Sequence, residues 1–368
     1  MIYFDNAATG GFKPDGVLSA VSAALKFCAN PGRSGHKLSV ACSERVYSCR
    51  RALMEFFGGY SCDRTIFTKN CTEALNIALL GTLRPGDKVV TTFAEHNSVL
   101  RPLQYLESKG VEVELAPLNS HGDIDLSALA AKVRADTKAV VITLASNVTG
   151  TCPDISRLRS AIPPRTLLIC DGAQACGHIK IDMKSWGIDA LAVAGHKGMY
   201  GIQGSGAILF SDRVDPAPIL YGGTGSESFN LNMPEFYPDR LESGTVNYPA
   251  IVSLAEGVLY LKTHFNEERD KLYHLTSLLH EKLAELQKQG LTFLIVSHGE
   301  AVKRYCKRAI WIDGGVVRED GDINVVFKHY TDVMTKKPAA QPATTQAVIH
   351  KPVAPAQRTE QAKAEPKN

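Results

Sequence analysis

The sequence of 368 residues lacks several patterns that would set its class at once. It contains no apolar run long enough to cross a membrane, and it does not begin with the basic start and apolar stretch of a signal peptide. Its nine cysteines form no C-x-x-C pair and no His/Cys cluster at zinc spacing. We therefore expect a cytoplasmic protein with reduced thiols, no bound metal and no membrane span.

A strong charge imbalance is also missing from most of the chain. The formal net charge is +3, but residues 335–368 hold six Lys or Arg and two Glu, which leaves 35 basic and 36 acidic residues elsewhere. This balance gives no support to nucleic-acid binding. Because 335–368 is rich in Ala, Pro, Gln and Thr and poor in large apolar residues, we predict a disordered tail there.

Short apolar runs alternate with longer amphipathic segments between residues 60 and 212. The predicted strands are 64–68, 88–92, 111–116, 139–144, 166–170, 190–193 and 206–210, and helices are predicted over 72–80 and 98–109. This alternation indicates an α/β fold with a mostly parallel sheet and helices on both faces. In such sheets, ligands bind at the carboxyl ends of the strands.

Lys197 and Asp171 are the most informative residues, because each directly follows or closes an apolar run. Taken singly, they fit a surface lysine in a glycine loop and a helix-capping aspartate. Together they supply what pyridoxal 5'-phosphate requires. That cofactor needs an amine that links to its aldehyde and a carboxylate that keeps its pyridine nitrogen protonated. We therefore predict this cofactor.

Further polar residues follow the other predicted strands. Cys71 and Thr72 open a helix, whose free N–H groups and the Thr72 hydroxyl fit a phosphate, although a simple N-cap is the alternative. His96 fits stacking on a cofactor ring and proton transfer, or an ordinary loop histidine. Gln174 fits a hydrogen bond to the phenolic oxygen of the cofactor, or an ordinary helix residue.

Ordered motifs over residues 1 to about 285 carry a family resemblance. They are YFDNAAT (3–9), NPGRSGH (30–36), TEALN (72–76), EHNSVLRPL (95–103), SNVTGT (146–151), DGAQ (171–174), GHK (195–197), GGTGS (222–226) and ESGTVN (242–247). In order and spacing these runs resemble the class V aminotransferases, and within them the cysteine desulfurases.

The resemblance implies a type I pyridoxal-phosphate fold in a homodimer that converts L-cysteine to L-alanine and passes sulfur to an acceptor, which can be a protein. It implies two catalytic residues, Lys197, which binds the cofactor and moves protons, and His96, which stacks on the ring. Another class V activity, β-lyase or aminotransferase, stays open. The implied cofactor-binding residues are Cys71, Thr72, His96, Asn147, Asp171, Gln174, His196, Lys197 and Thr245, the last reaching the neighbouring subunit's phosphate.

The sequence after residue 285 does not resemble the family's small domain, which supplies a catalytic cysteine on a mobile loop. Residues 280–334 resemble instead the end of a polysaccharide-export ABC transporter ATPase, in which His298 would be the nucleotide-sensing histidine. No G-x-x-x-x-G-K-[ST] motif is present, so we expect no ATP hydrolysis. The predicted domains are 1–285, with its small domain replaced, 286–334 and the tail 335–368. A non-catalytic fusion derived from the ATPase is the remaining alternative.

Overall fold

The computed structural model describes residues 3–119, 122–290, 303, 306–313 and 316–336. The chain divides into two units, Met1–Tyr305 and Cys306–Asn368. The predicted boundary at residue 285 falls inside a continuous helix, so it stays a prediction. The predicted strand around 289–299, with His298, lies largely outside the described residues, as does the tail beyond residue 336.

The first unit contains eight helices and seven strands among its described residues. The helices are α1 Asp15–Lys26, α2 Lys37–Phe56, α3 Cys71–Thr82, α4 Asn97–Glu107, α5 Leu126–Lys132, α6 Ile155–Ala161, α7 Met183–Trp186 and α8 Tyr248–Lys288. The strands are β1 Thr65–Thr68, β2 Lys88–Thr92, β3 Glu112–Ala116, β4 Thr137–Thr143, β5 Leu167–Asp171, β6 Ala190–Ala194 and β7 Gly206–Phe210. Each predicted strand is present, with ends shifted by at most two residues.

The seven strands form one sheet in the order β1-β7-β6-β5-β4-β2-β3. β6, β5, β4, β2 and β3 pair in parallel, whereas β7 is antiparallel to both of its neighbours. The prediction of a mostly parallel sheet is therefore confirmed. Because β1 and β6 both oppose β7, six strands end at the same edge of the sheet.

Both faces of the sheet are covered, which explains why its central strands are almost wholly apolar. Successive residues of β4 enter different cores: Val140 and Ile142 belong to one buried cluster, and Val141 belongs to the other. All five residues of β5 and of β6 are buried. The helices that cover the two faces fix the sheet, and with it the edge where the strands end.

The second unit is a β-hairpin with one helix in its described part. β8 Arg308–Asp313 pairs antiparallel with β9 Val316–Asp322, and α9 Ile323–Lys336 follows directly. Its small core is formed by buried residues of α9 and by an edge-to-face contact between Trp311 and Tyr330, with ring centroids 5.8 Å apart. Cys306 precedes this hairpin and is not helical.

The carboxyl-terminal half of α8 exposes a row of large apolar side chains. The exposed residues are Leu272, Tyr273, Leu275, Leu278 and Leu279. Among the helices of the described residues, none combines the length and the hydropathy that crossing a bilayer requires.

A buried ion pair joins the middle of α2 to the segment before α8. The Arg50 guanidinium binds both carboxylate oxygens of Glu242, with Nη1 2.7 Å from Oε1, and the Phe67 N–H donates to Oε1 at 2.6 Å. Both side chains are less than a tenth exposed. Removing one partner of such a pair leaves the other charge buried and unpaired.

We expect Glu242→Gln to lower the free energy of unfolding by about 3–5 kcal/mol, because the buried Arg50 charge loses its counter-charge. Urea denaturation of the variant beside the wild type measures this. Glu285→Gln, which breaks an exposed pair with Lys282, is the control and should leave stability unchanged. Equal effects of the two substitutions would contradict the prediction.

Candidate active site

A cleft of about 510 Å³ opens at the edge where six strands end. This volume falls within the roughly 300–1,000 Å³ that is typical of small-molecule sites. The cleft is lined by eight of the nine predicted site residues: Cys71, Thr72, His96, Asn147, Asp171, Gln174, His196 and Lys197. Thr245 does not line this cleft in the single chain and lies instead against a smaller cavity beside β1.

Asp171 forms the buried floor of the cleft. It is the last residue of β5 and is 3% exposed. Its Oδ1 accepts hydrogen bonds from the Ala173 N–H at 2.8 Å and from the Cys71 thiol at 3.4 Å. A carboxylate held by donors in a buried position is suited to pair with a cationic group of a ligand.

The side chain of Cys71 has a role separate from that of its backbone N–H. Its thiol is buried and donates to Asp171, so it supports the carboxylate from behind. Burial raises the pKa of the Cys71 thiol well above its usual range, and the charge of Asp171 raises it further. Since the thiolate is the nucleophilic form, Cys71 is a poor nucleophile here.

The amino end of α3 faces the cleft with its first N–H groups. The Asn70 side chain caps the helix by accepting from the Glu73 N–H at 2.9 Å, and Glu73 accepts from the Lys69 N–H at 2.6 Å. The N–H groups of Cys71 and Thr72 come earlier, where a helix has no internal acceptors. With the positive end of the helix dipole, they fit an anionic group.

A chain of side-chain hydrogen bonds links α3 to α4 along the rim. The Thr72 hydroxyl lies 2.8 Å from the Ser98 hydroxyl, which lies 2.9 Å from His96 Nδ1. His96 also caps α4, since Nδ1 accepts from the Ser98 N–H at 3.1 Å. Nδ1 is therefore an acceptor, and the proton of the neutral ring is on Nε2.

His196 joins the Lys197 loop to the amino-terminal segment. Its carbonyl accepts from the Gly10 N–H at 3.0 Å and from Lys13 Nζ at 3.2 Å, and its Nδ1 lies 3.0 Å from the Thr9 hydroxyl. Burial lowers the pKa of the His196 ring, and the charges of Lys197 and Lys13 lower it further. A neutral ring between two lysines is favoured.

The last two predicted residues differ in their surroundings. Gln174 donates from Nε2 to the Ala7 carbonyl at 3.1 Å, so one of its two N–H bonds is engaged within the chain. Asn147 is exposed at the rim, after the end of β4. The structure therefore places both residues at the cleft, with the Gln174 amide already tied to the amino-terminal segment.

Glu95 is the first residue of the run EHNSVLRPL (95–103), but sequence reasoning assigned it no role in the site. Its Oε1 accepts from the Thr92 hydroxyl at 2.8 Å and from the Thr143 N–H at 3.0 Å, which ties the turn before α4 to the end of β4. Its Oε2 is buried without a hydrogen-bond partner among the described residues. Burial raises the pKa of Glu95 to about 8. No composition signal separates such a glutamate from an exposed one.

The model of the family "Aminotransferase class-V" matches residues 2–298 of this chain. The chain belongs to the class V aminotransferase family. A probable cysteine desulfurase of Pyrococcus abyssi is 33% identical over 276 residues, which cover 71% of this chain and 67% of that protein. A cysteine desulfurase of Archaeoglobus fulgidus is 30% identical over 295 residues, covering 79% and 73%.

Solved structures show the same fold for this class V aminotransferase. The apo cysteine desulfurase of Thermococcus onnurineus superposes with a TM-score of 0.72 at 31% identity, over 78% of this chain and 74% of that one. A cysteine desulfurase of Escherichia coli gives 0.66 at 26% identity, over 76% and 72%. The type I fold predicted from the sequence is therefore confirmed.

The predicted ATPase segment and the chimera receive no support from these matches. The family match continues to residue 298 and so covers the first part of the stretch 286–334 that was assigned to the ATPase. Amphipathic helix is common to both patterns over residues 272–289, which explains why the two could not be told apart there. His298 itself lies outside the described residues.

Class V aminotransferases use pyridoxal phosphate, and the cleft fits that group by its own chemistry. It offers a lysine amine at Lys197, a buried carboxylate at Asp171 and the amino end of α3 for a phosphate. These three features match the aldehyde, the ring nitrogen and the phosphate of the cofactor.

We expect Glu95→Gln to remove a pH dependence of stability. Folded Glu95 keeps its proton to about pH 8, whereas the ordinary value is 4.5, so the folded state binds more protons between these values. Stability of the wild type should therefore fall as pH rises through this window, by at most about 1.4 kcal/mol per pH unit.

Glutamine keeps the Oε1 acceptor and does not titrate, so the stability of the variant should not fall with pH in this window. Urea unfolding at several pH values between 5 and 8.5 measures it. Glu44→Gln, at an exposed position, is the control and should keep the wild-type slope. An identical slope for wild type and Glu95→Gln would refute the prediction.

Proposed function

We propose that this chain is a pyridoxal-phosphate-dependent cysteine desulfurase that removes sulfur from L-cysteine. The observation that carries the proposal is one cleft that holds Lys197, buried Asp171 and the amino end of α3 together. The substrate is inferred from the relatives and solved structures at 26–33% identity, which are named cysteine desulfurases. The chain spans about two thirds to three quarters of their length.

Each cleft residue has a chemical task in this proposal. Pyridoxal phosphate supplies an electron sink for the bond-breaking at the substrate. Lys197 holds the cofactor through its amine and moves a proton at the substrate carbon. Asp171 keeps a proton on the ring nitrogen, and the N–H groups of Cys71 and Thr72 hold the phosphate.

His96 and Gln174 act on the cofactor's polar edge and ring face. Ser98 fixes the His96 ring through Nδ1, so Nε2 is available as a proton donor at the cleft. Gln174 has a second N–H that can donate to the phenolic oxygen while the first stays on Ala7. Asn147 at the rim is suited to the substrate carboxylate, and His196 to the phosphate.

The cysteines favour a second candidate, a β-lyase activity. Cys71 is the only cysteine among the described residues that lines the cleft, and its buried, high-pKa thiol is poorly suited to accept sulfur. A desulfurase with an acceptor thiol gives L-alanine and a persulfide. A β-lyase gives pyruvate, ammonia and hydrogen sulfide from L-cysteine and water. Assaying alanine and pyruvate together decides between them.

We also propose that the chain works as a cytoplasmic homodimer with an external sulfur-acceptor protein. Thr245 lies away from the cleft of its own chain, which fits a contact with the partner's phosphate. Phe229 and Leu231, on the neighbouring loop, are fully exposed and suited to a subunit contact. The replacement of the family's small domain stays a prediction, and no function is proposed for the second unit.

We expect added pyridoxal phosphate to give the wild type a visible absorption band that disappears in Lys197→Ala, because the covalent link needs that amine. The band should change when L-cysteine is added. Lys180→Ala, at an exposed lysine, is the control and should keep both the band and the response. A band of equal size in Lys197→Ala would exclude Lys197 as the cofactor-binding residue.

We expect Asp171→Asn to keep the shape of the cleft floor and to remove the negative charge of the side chain. Cofactor binding should weaken by about tenfold, since a charge-assisted hydrogen bond becomes a neutral one, and turnover should be almost abolished. Fluorescence titration with pyridoxal phosphate and an alanine assay measure the two effects. Asp125→Asn, which changes a half-buried helix cap outside the cleft, should alter neither. Turnover close to the wild-type value would contradict the assigned role.

A further inference from the structure

Four residues of α8 face the loop 195–204, which carries Lys197. We call them the α8 anchor: Ser253, Gly257, Tyr260 and Glu268. We propose that the α8 anchor sets the position of the Lys197 loop, and that Glu268 is a positioning residue for Lys197. The link to Lys197 chemistry rests on the proposed function, whereas the contacts themselves do not.

The helix period places the α8 anchor on one side of α8. Positions four, seven and fifteen residues after Ser253 lie within about a quarter turn of it at 3.6 residues per turn. The contacts of this helix face lie along the same stretch, beginning with Ser253, whose hydroxyl accepts from the Ile202 N–H at 3.0 Å. One helix face thus runs along the loop.

Gly257 brings the two backbones into direct contact. A Cβ at this position would lie 2.0 Å from the Met199 carbonyl oxygen, and real Cβ atoms do not approach backbone oxygens so closely. Any side chain here would therefore push the loop away from α8. Met199 is two residues from Lys197, so this close approach acts next to the catalytic lysine.

Tyr200 carries the most unusual backbone of the loop. Its φ is +58°, in the left-handed region that costs a tyrosine about 1–2 kcal/mol. Its N–H donates to the Lys197 carbonyl at 3.1 Å, which closes the turn after the lysine. A strained residue persists where its surroundings over-determine it, so the contacts of its side chain must hold it.

Tyr260, which is held by Glu268, supplies one of those contacts, and the Phe12 ring supplies another. The Tyr260 hydroxyl donates to Glu268 Oε1 at 2.7 Å, and the rings of Tyr200 and Tyr260 meet edge to face with centroids 5.2 Å apart. Burial raises the pKa of Tyr200, and the charge of Glu268 raises it further. The carboxylate therefore holds the Tyr260 phenol on α8, and the Tyr260 ring packs against Tyr200 on the loop.

The position of α8 is thereby transmitted to Lys197 through Tyr200. We expect Glu268→Gln and Tyr260→Phe each to speed amide exchange in residues 195–204 by about tenfold, because each disrupts the charge-assisted hydrogen bond from the Tyr260 hydroxyl to Glu268. The double variant should exchange no faster than either single one, because both remove the same contact. Mass-spectrometric hydrogen exchange on the cofactor-free protein measures this without relying on activity.

The loaded protein supplies a second measurement. Visible circular dichroism reports how the bound cofactor is held, and its amplitude should fall in Glu268→Gln and Tyr260→Phe with the thermal midpoint unchanged. Glu267→Gln, the neighbouring exposed glutamate, is the matched control and should leave both measurements at the wild-type value.

Two results would overturn the proposal. One is a wild-type rate of exchange in 195–204 for both Glu268→Gln and Tyr260→Phe. The other is faster exchange along α8 to the same extent as in the loop, since Glu268 would then stabilise only its own helix. A wild type that shows no Lys197-dependent band would refute the proposed function instead, while the exchange experiment on cofactor-free protein would still decide the role of the α8 anchor.

Discussion

The buried carboxylate of Asp171 is the interaction on which the rest of the site depends. A charge removed from water is costly unless hydrogen-bond donors surround it. Here the Ala173 N–H and the Cys71 thiol provide two of them, at the end of β5. Because these donors hold the carboxylate from one side, a cationic group of a ligand can approach it from the cleft. The other cleft residues surround the position where that ligand would lie.

Strand order explains how residues distant in sequence reach Asp171. β5 is the middle strand of the sheet, and β4 and β6 run parallel on its two sides. Their carboxyl ends therefore deliver Asn147 and Lys197 to the same edge. β1 reaches this edge too, because β7 is inserted antiparallel between β1 and β6. That arrangement places the amino end of α3 beside the lysine.

The strands were predictable from the sequence, and eight of the residues it singled out line one cleft, because both follow from local patterns. Apolar runs that end in Asp171 or precede Lys197 mark the edge of a parallel sheet without any knowledge of pairing. The antiparallel insertion of β7 was not predictable, since an apolar run of five residues does not reveal its direction. Glu95 was missed because burial, and not residue type, makes it unusual.

The least predictable part of the site was a set of close backbone contacts that only glycines allow. Gly177 has a φ of +88°, and a Cβ there would lie 2.1 Å from the Gly198 carbonyl oxygen. A Cβ on Gly198 would in turn lie 2.5 Å from the Cys176 carbonyl oxygen. The loop after Asp171 and the loop of Lys197 therefore touch backbone to backbone. Only glycine permits this approach, so the separation of lysine and aspartate depends on two residues that carry no chemistry of their own.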